Sequence, residues 1–505
     1  MGAKDDFHLS ARPLMANADG SRSQVTLENG QASPKPSSHD GAKLGWIVSA
    51  IFIVADMVGG GVVAMPVAFV QSGIYYGVFF MISIALIFLY TGYQLGVVWN
   101  TMRKRWPEYH EHCRKPFPEI AKRSMGPGAK KFTSLLVNVT LFGICVVYLL
   151  LSSNIAYYFA EHFLSQYIEM SYCQTIVVLA LLLSPFTYLK SPADFWPVIV
   201  LAMVTTTMAV CMIVGGVARD AEGCYKAASY PEVRSDQVIL SLGTFLFAFS
   251  GHYVFPTIQN DMREPKNFTR SIILGFTLVV CLYMPVSAIS FLVYGDSLQH
   301  SVIYSVQTNW LQLGANSMIA VHCILTLVIV INPINQEVEE FFKVPHHFGV
   351  GRFVVRTCAL LSVVFVGLTV PDFFPVMNVV GASTIPLGCV VLPSFFYMYI
   401  QAAEEYEWKR DEIPSFRDVL YRTKKSTLFI NIVVLSVAVF GGILGRTKQF
   451  SGCERPLSPP PAISSHSSPR TSPSTPMLEA TASLSSAAAR IGMSRPSSTR
   501  AALPS

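Results

Sequence analysis

The run DMVGGGVVAMP, from Asp56 to Pro66, places an acid, three consecutive glycines and a proline inside the apolar stretch 46–70, which is long enough to cross a bilayer. Gly59, Gly60 and Gly61 offer a place to unwind, and Pro66 removes one helical donor and clashes with the carbonyl four residues back. Irregular backbone is costly in hydrocarbon and survives only where it lines a cavity or binds something. Taken alone, the run reads as well as a kinked or tightly packed helix, because Gly and Pro are common in membrane spans. A second run, FLFAFSGHYVFP from Phe245 to Pro256, changes the weighting, since it again puts a glycine with polar neighbours at mid-span and a proline five residues later. Paired breaks of this kind leave half-helix ends whose free N–H groups and positive dipole suit an anion. A zwitterion leaving water needs donors at one end and acceptors at the other, and two opposed breaks supply both.

Other side chains in the apolar stretches could move protons. Asp56 is costly there as a charge and so is a candidate proton carrier or partner for a substrate amine; the alternative is that it accepts hydrogen bonds from the broken backbone or lies in water near the cytoplasmic mouth. His252 is a candidate proton relay or a plain hydrogen-bonded histidine. His322 is expected to be structural, and Asn154 to make a packing hydrogen bond.

The elements that must position these groups are membrane helices. The chain has 505 residues, of which 51% are hydrophobic and 13% charged, and its mean hydropathy is +0.44. A soluble protein carries about 25% charged residues, so this is an all-α integral membrane protein. Apolar stretches near 46–70, 74–99, 132–160, 173–190, 195–216, 238–259, 270–294, 310–335, 353–370, 373–400 and 427–445 make eleven spans. Lys and Arg crowd the loops on one side, among them Arg103, Lys104, Arg105, Lys130, Lys131, Arg263 and Lys266, while the opposite side holds only Arg219, Lys226 and Arg234. That asymmetry places the N-terminus in the cytoplasm. Trp46, Trp99, Trp196 and Trp310 fall at segment ends, where the headgroup layer favours an amphipathic ring.

The net charge of +6 is accounted for by cytoplasmic loops facing anionic lipid, so no nucleic-acid partner is implied. Residues 1–45 and 446–505 read as disordered tails, rich in Ser, Pro, Ala and Gly, flanking a transmembrane domain at 46–445. No signal peptide is expected, because a polar stretch leads directly into the first span. Cys173 and Cys224 lie at or in loops on the outer side, where they form a candidate disulfide or remain unpaired.

The runs DMVGGGVVAMP from Asp56, FAFSGHYVFPTIQNDMREP from Phe247 and NPINQEVEE from Asn332 together resemble the amino acid/auxin permease family, in order and spacing over roughly 43–445. The resemblance implies the fold of the bacterial leucine transporter, with an inverted five-helix repeat, broken helices 1 and 6, and substrate held between the first, third, sixth and eighth spans. It also implies secondary active transport of amino acids by a monomeric unit with no cofactor, in the plasma membrane or a lysosomal or vesicular one. Carried onto this chain, Gly59, Gly60 and Gly61 would bind the substrate carboxylate, Phe249, Ser250 and Gly251 would offer carbonyls to its ammonium, and Tyr148 would present a hydroxyl unless it is a core aromatic. In the sodium-coupled branch an Asn stands four residues before the first glycine of the break; here that position is Ala55, so H+ is the expected coupling ion and Na+ is disfavoured, although backbone carbonyls and Thr326 could contribute. The alternative is a transporter-like amino acid sensor with little flux. An enzyme is excluded for want of a zinc cluster, paired aspartates or a G-x-S-x-G motif.

Overall fold

The computed structural model describes residues 44–110, 113–167, 169–188, 196–345, 349–405 and 412–452, which are helical almost throughout. Most of the expected tails, 1–43 and 453–505, lies outside the described residues. Leu44, just before the first helix, pairs with the segment after the second break: its amide donates to the Asp261 carbonyl at 2.9 Å, and the Arg263 amide donates to its carbonyl at 2.9 Å.

In chain order the helices begin with α1 (Trp46–Met57) and α2 (Gly60–Arg105). At Gly73, α2 has φ 75° and ψ 163°, a conformation that glycine adopts without the Cβ penalty, and there it divides into two arms. There follow α3 (Pro116–Met125), α4 (Pro127–Phe159), α5 (Tyr172–Thr187) and α6 (Trp196–Cys224). The second interrupted stretch is α7 (Ser235–Ala248) and α8 (Phe255–Asn260), followed by α9 (Phe268–Tyr294), the short α10 (Val302–Ser305) and α11 (Asn309–Phe341). Then come α12 (Val350–Thr369), α13 (Phe373–Ile385), a π turn at Pro386–Val391, α14 (Leu392–Glu405), α15 (Phe416–Arg422) and α16 (Lys425–Gly452). The tight turn before α13 is closed by Asp372, whose carboxylate accepts the Phe374 amide at 3.0 Å. The last helix passes the expected domain boundary at 445.

Among the described residues, seven helices are long and apolar enough to cross a membrane, and four shorter apolar helices accompany them. Two of the short ones, α1 and α7, are short because they stop at the two glycine-bearing runs. Large apolar side chains such as Leu181, Leu182, Phe365 and Phe429 are exposed on the outer helix faces, a surface suited to hydrocarbon rather than water. The chain is an all-α, multi-spanning membrane protein.

At the centre, α11 packs against α4, α6 and α12, and α2 packs against α7 and α9. Close approach depends on small residues: a Cβ on Gly381 would run into the Gly243 carbonyl, so α13 and α7 touch backbone to backbone. Beside that contact Thr244 donates to the Asn378 side-chain oxygen at 2.8 Å. Toward the end of α11, the buried Glu339 receives Arg356 at 2.6 Å and Arg352 at 3.3 Å, while Arg356 also donates to the Thr187 carbonyl at 2.7 Å. One carboxylate thereby joins α11 and α12, and α5 through Arg356.

Two expectations are corrected. Trp99 does not stand at a helix end, because α2 continues to Arg105, and its ring is buried against Tyr109, with centroids 5.7 Å apart. Cys173 and Cys224 are both free: Cys173 is exposed in the first turn of α5, and Cys224 ends α6, partly buried against the main core.

Candidate functional site

The first break follows directly from the three glycines. The helix α1 closes with the Val58 amide on the Val54 carbonyl at 2.8 Å, Gly59 departs from helical geometry at φ −144° and ψ −118°, and α2 restarts with the Val62 amide on the Gly59 carbonyl at 3.1 Å. The amides of Gly60 and Gly61 therefore precede the first intrahelical bond and have no acceptor within their own helix. Tyr148, from α4, stands beside this restart: a Cβ on Gly60 would lie 3.9 Å from its Cε1.

The three glycines differ in purpose. A Cβ on Gly59 would run into the Tyr148 hydroxyl and lie 2.7 Å from His322 Nε2. On Gly60 it would meet nothing nearer than Leu151 at 3.7 Å. On Gly61 it would press on Ala248, 2.8 Å from its Cβ and 3.0 Å from its Cα, so this glycine lets α2 approach the end of α7.

The second break runs from Phe249 to Val254. Ser250 folds back on α7, its amide 3.1 Å and its hydroxyl 2.7 Å from the Phe247 carbonyl. The Phe249 ring is buried and stacks on Phe276 of α9, with centroids 6.3 Å apart and planes at 8°. Gly251 lies against the end of α1: a Cβ there would stand 2.6 Å from Asp56 Oδ2 and 3.2 Å from Met57 Cγ. The π turn comes against the same break, where a Cβ on Gly388 would run into the Tyr253 side chain. Single π turns inside helices recur at functional sites.

One side chain joins the two breaks. The Tyr283 hydroxyl of α9, fully buried, lies 2.9 Å from the Met57 carbonyl and 3.2 Å from the Ala248 carbonyl, the last residues of α1 and α7. Its single proton is shared between two carbonyls that have no amide partner further along their own helices.

The proton candidates face different ways. Asp56 is directed to the second break. His252 points away from it: Nε2 meets the Phe88 carbonyl and Thr91 Oγ1 of α2, each at 3.0 Å, and the ring packs on Phe255 and Phe88. His322, expected to be structural, stands at the first break instead, with its ring edge-on to Tyr148 at a centroid distance of 6.1 Å. Asn154, as expected, makes a packing bond, accepting the Tyr304 hydroxyl at 3.3 Å.

Tyr283 escapes a reading of the sequence, as does Thr206 of α6, whose hydroxyl lies 2.6 Å from His322 Nδ1. Their only signal is a polar group inside an apolar helix, and many buried hydroxyls on these helices give the same signal by bonding to their own backbone.

Residues 42–440 match the model of the family described as transmembrane amino acid transporter protein. The chain belongs to that family. The chain is 24% identical to amino acid transporter AVT1E of Arabidopsis thaliana over 68% of its own length, and spans 64%, just under two thirds, of that protein. It is 25% identical to amino acid transporter AVT1H of the same plant, over 70% of this chain and 81% of the relative. Among solved structures, MhsT in complex with L-phenylalanine aligns at a TM-score of 0.46 and 11% identity, over 81% of this chain and 99% of that one. Residue roles rest on the geometry above and not on that alignment.

Proposed function

We propose that this permease carries an amino acid zwitterion together with a proton by alternating access. The observation that carries the reading is the meeting of two helix breaks. The amides that begin one half-helix, Gly60 and Gly61, follow Gly59, which faces the Tyr148 hydroxyl, and a carboxylate, Asp56, faces the bare backbone of the other break at Gly251. Substrate carboxylate fits the first group. Substrate ammonium fits the carbonyls of Phe249, Ser250 and Gly251 together with Asp56. Of Asp56 and His252, the first is favoured for direct contact with substrate, because the imidazole of His252 is turned toward α2.

The helices support a reading in eleven spans, as two inverted five-helix repeats and a final helix, with α1–α2 and α7–α8 as the broken pair. Binding from outside or from a lumen would be followed by rocking of the bundle that contains the broken spans, and net positive charge would move inward. The basic loops favour a cytoplasmic N-terminus, in the plasma membrane or a lysosomal or vesicular one. The transport unit is a monomer that needs no cofactor. Ala55, without a side-chain oxygen, favours H+ over Na+.

The test is uptake of a panel of radiolabelled amino acids into proteoliposomes holding the purified chain, at acidic and neutral external pH, with and without sodium. Acid-stimulated, sodium-independent accumulation of at least one amino acid is expected. Binding without accumulation of any of them would overturn transport in favour of a sensor, and strict sodium dependence would overturn proton coupling.

A further inference from the structure

The ring of His322 is held so that one nitrogen is committed and the other faces the first break. Nδ1 lies 3.1 Å from the Ala202 carbonyl of α6, an oxygen that can only accept, and 2.6 Å from Thr206 Oγ1. The Thr206 hydroxyl spends its own proton on that same carbonyl at 2.8 Å, so it too accepts from Nδ1. Nδ1 is therefore the protonated nitrogen, and Nε2 carries the lone pair. That lone pair lies 3.3 Å from Thr326 Oγ1 and on the Gly59 side of the ring, where Tyr148 also converges. The absent side chain at Gly59 is what leaves this nitrogen room.

We propose that His322 takes up the coupling proton, at Nε2. The inference rests on the proton-symport reading above and names the group that serves it. A proton arriving from the outer aqueous phase forms a bond to Nε2 and gives an imidazolium whose Nδ1–H keeps its bonds to Ala202 and Thr206. The new positive charge stands beside Gly59, next to the start of α2 where a substrate carboxylate would lie, so proton and substrate each favour the other's binding. When the site opens to the cytoplasm and the carboxylate leaves, the same N–H bond breaks and the proton returns to water. Tyr148 from α4 faces the ring, and the titratable groups around Tyr148 are Asp56 from α1, Tyr283 from α9 and Cys323, the neighbour of His322 on α11. From α6, only the hydroxyl of Thr206 and the carbonyl of Ala202 meet the ring among the described residues.

The experiment is proton-driven uptake by His322→Gln in proteoliposomes, measured across a range of external pH beside wild type. Glutamine keeps a donor and an acceptor but does not titrate. Accumulation is expected to fall by about ten-fold or more, and the residual uptake to lose its acid stimulation. A His322→Gln transporter with the wild-type pH profile overturns the proposal, whereas a wild type without acid stimulation overturns the proton-symport reading itself. Thr206→Val keeps the shape and removes the oxygen nearest Nδ1, and serves if His322→Gln does not fold. It is expected to displace the pH of half-maximal uptake, and an unmoved midpoint in that variant also overturns the proposal.

Discussion

The carboxylate of Asp56 occupies the space that a side chain on Gly251 would need, with Oδ2 2.6 Å from the position of a Cβ there. An acid ending one half-helix thus faces bare backbone in the other break. An amine that reaches the carbonyls near Gly251 reaches a carboxylate in the same step. In the proposed reading Asp56 serves recognition of the substrate ammonium, while His322 stands beside the first break, where the carboxylate is placed.

Asp56→Asn separates those roles. Losing a buried charge-assisted hydrogen bond costs about 1.5–3 kcal/mol, or roughly ten- to a hundred-fold in affinity. The apparent KM for a neutral amino acid is expected to rise by that factor while acid stimulation of uptake persists. A flattened pH profile with little change in KM would assign the proton to Asp56 instead.

The glycine run makes a graded prediction. Gly60→Ala has space, its new carbon coming no nearer than 3.7 Å to a neighbour, so thermal stability is expected within about 0.5 kcal/mol of wild type. Any loss of uptake at that position then reports on substrate. Gly59→Ala intrudes on Tyr148 and His322, and is expected to abolish uptake. Gly61→Ala presses on the Ala248 backbone, and overpacking of this kind costs about 1–3 kcal/mol. Thermal unfolding of the three purified variants, with uptake alongside, checks the order; equal destabilisation by Gly60→Ala and Gly61→Ala would contradict the packing described.

Tyr283→Phe removes the shared hydroxyl from the Met57 and Ala248 carbonyls and leaves the ring in place. Hydrogen bonds between membrane helices are modest, about 1 kcal/mol, so a small drop in melting temperature is expected. The larger effect is expected on turnover, because the ends of the two broken helices lose their common tether. Maximal uptake is measured against surface amount; a variant that loses stability but transports at the wild-type rate would show that the tether is only structural.

The two breaks were legible in the sequence because glycine, proline and charge inside an apolar run conflict with the only backbone a bilayer tolerates at low cost. The helices were legible for the same reason, apart from ends such as Trp99, where hydropathy falls away before the helix does. Groups defined by a partner far along the chain were not. His322 acquires its orientation from Ala202 and Thr206 on α6, and Tyr283 from two carbonyls in the breaks; side-chain type and spacing carry no record of either. Glu339 lay inside the NPINQEVEE run, yet its pairing with Arg352 and Arg356 depended on how α12 packs.

That last cluster yields a stability prediction independent of transport. Glu339→Gln leaves two guanidinium groups in a site where Arg356 is fully buried and Arg352 is 4% exposed. Removing one member of a buried ion pair costs about 3–5 kcal/mol, because the remaining charge stays desolvated. Arg356→Lys keeps the charge but replaces a planar fork that serves both Glu339 and the Thr187 carbonyl with a point charge that can direct itself well at only one. It is expected to destabilise as well, by less than Glu339→Gln. Thermal unfolding in detergent measures both, and an Arg356→Lys chain as stable as wild type would show that the fork does not join α5, α11 and α12 in the way the distances indicate.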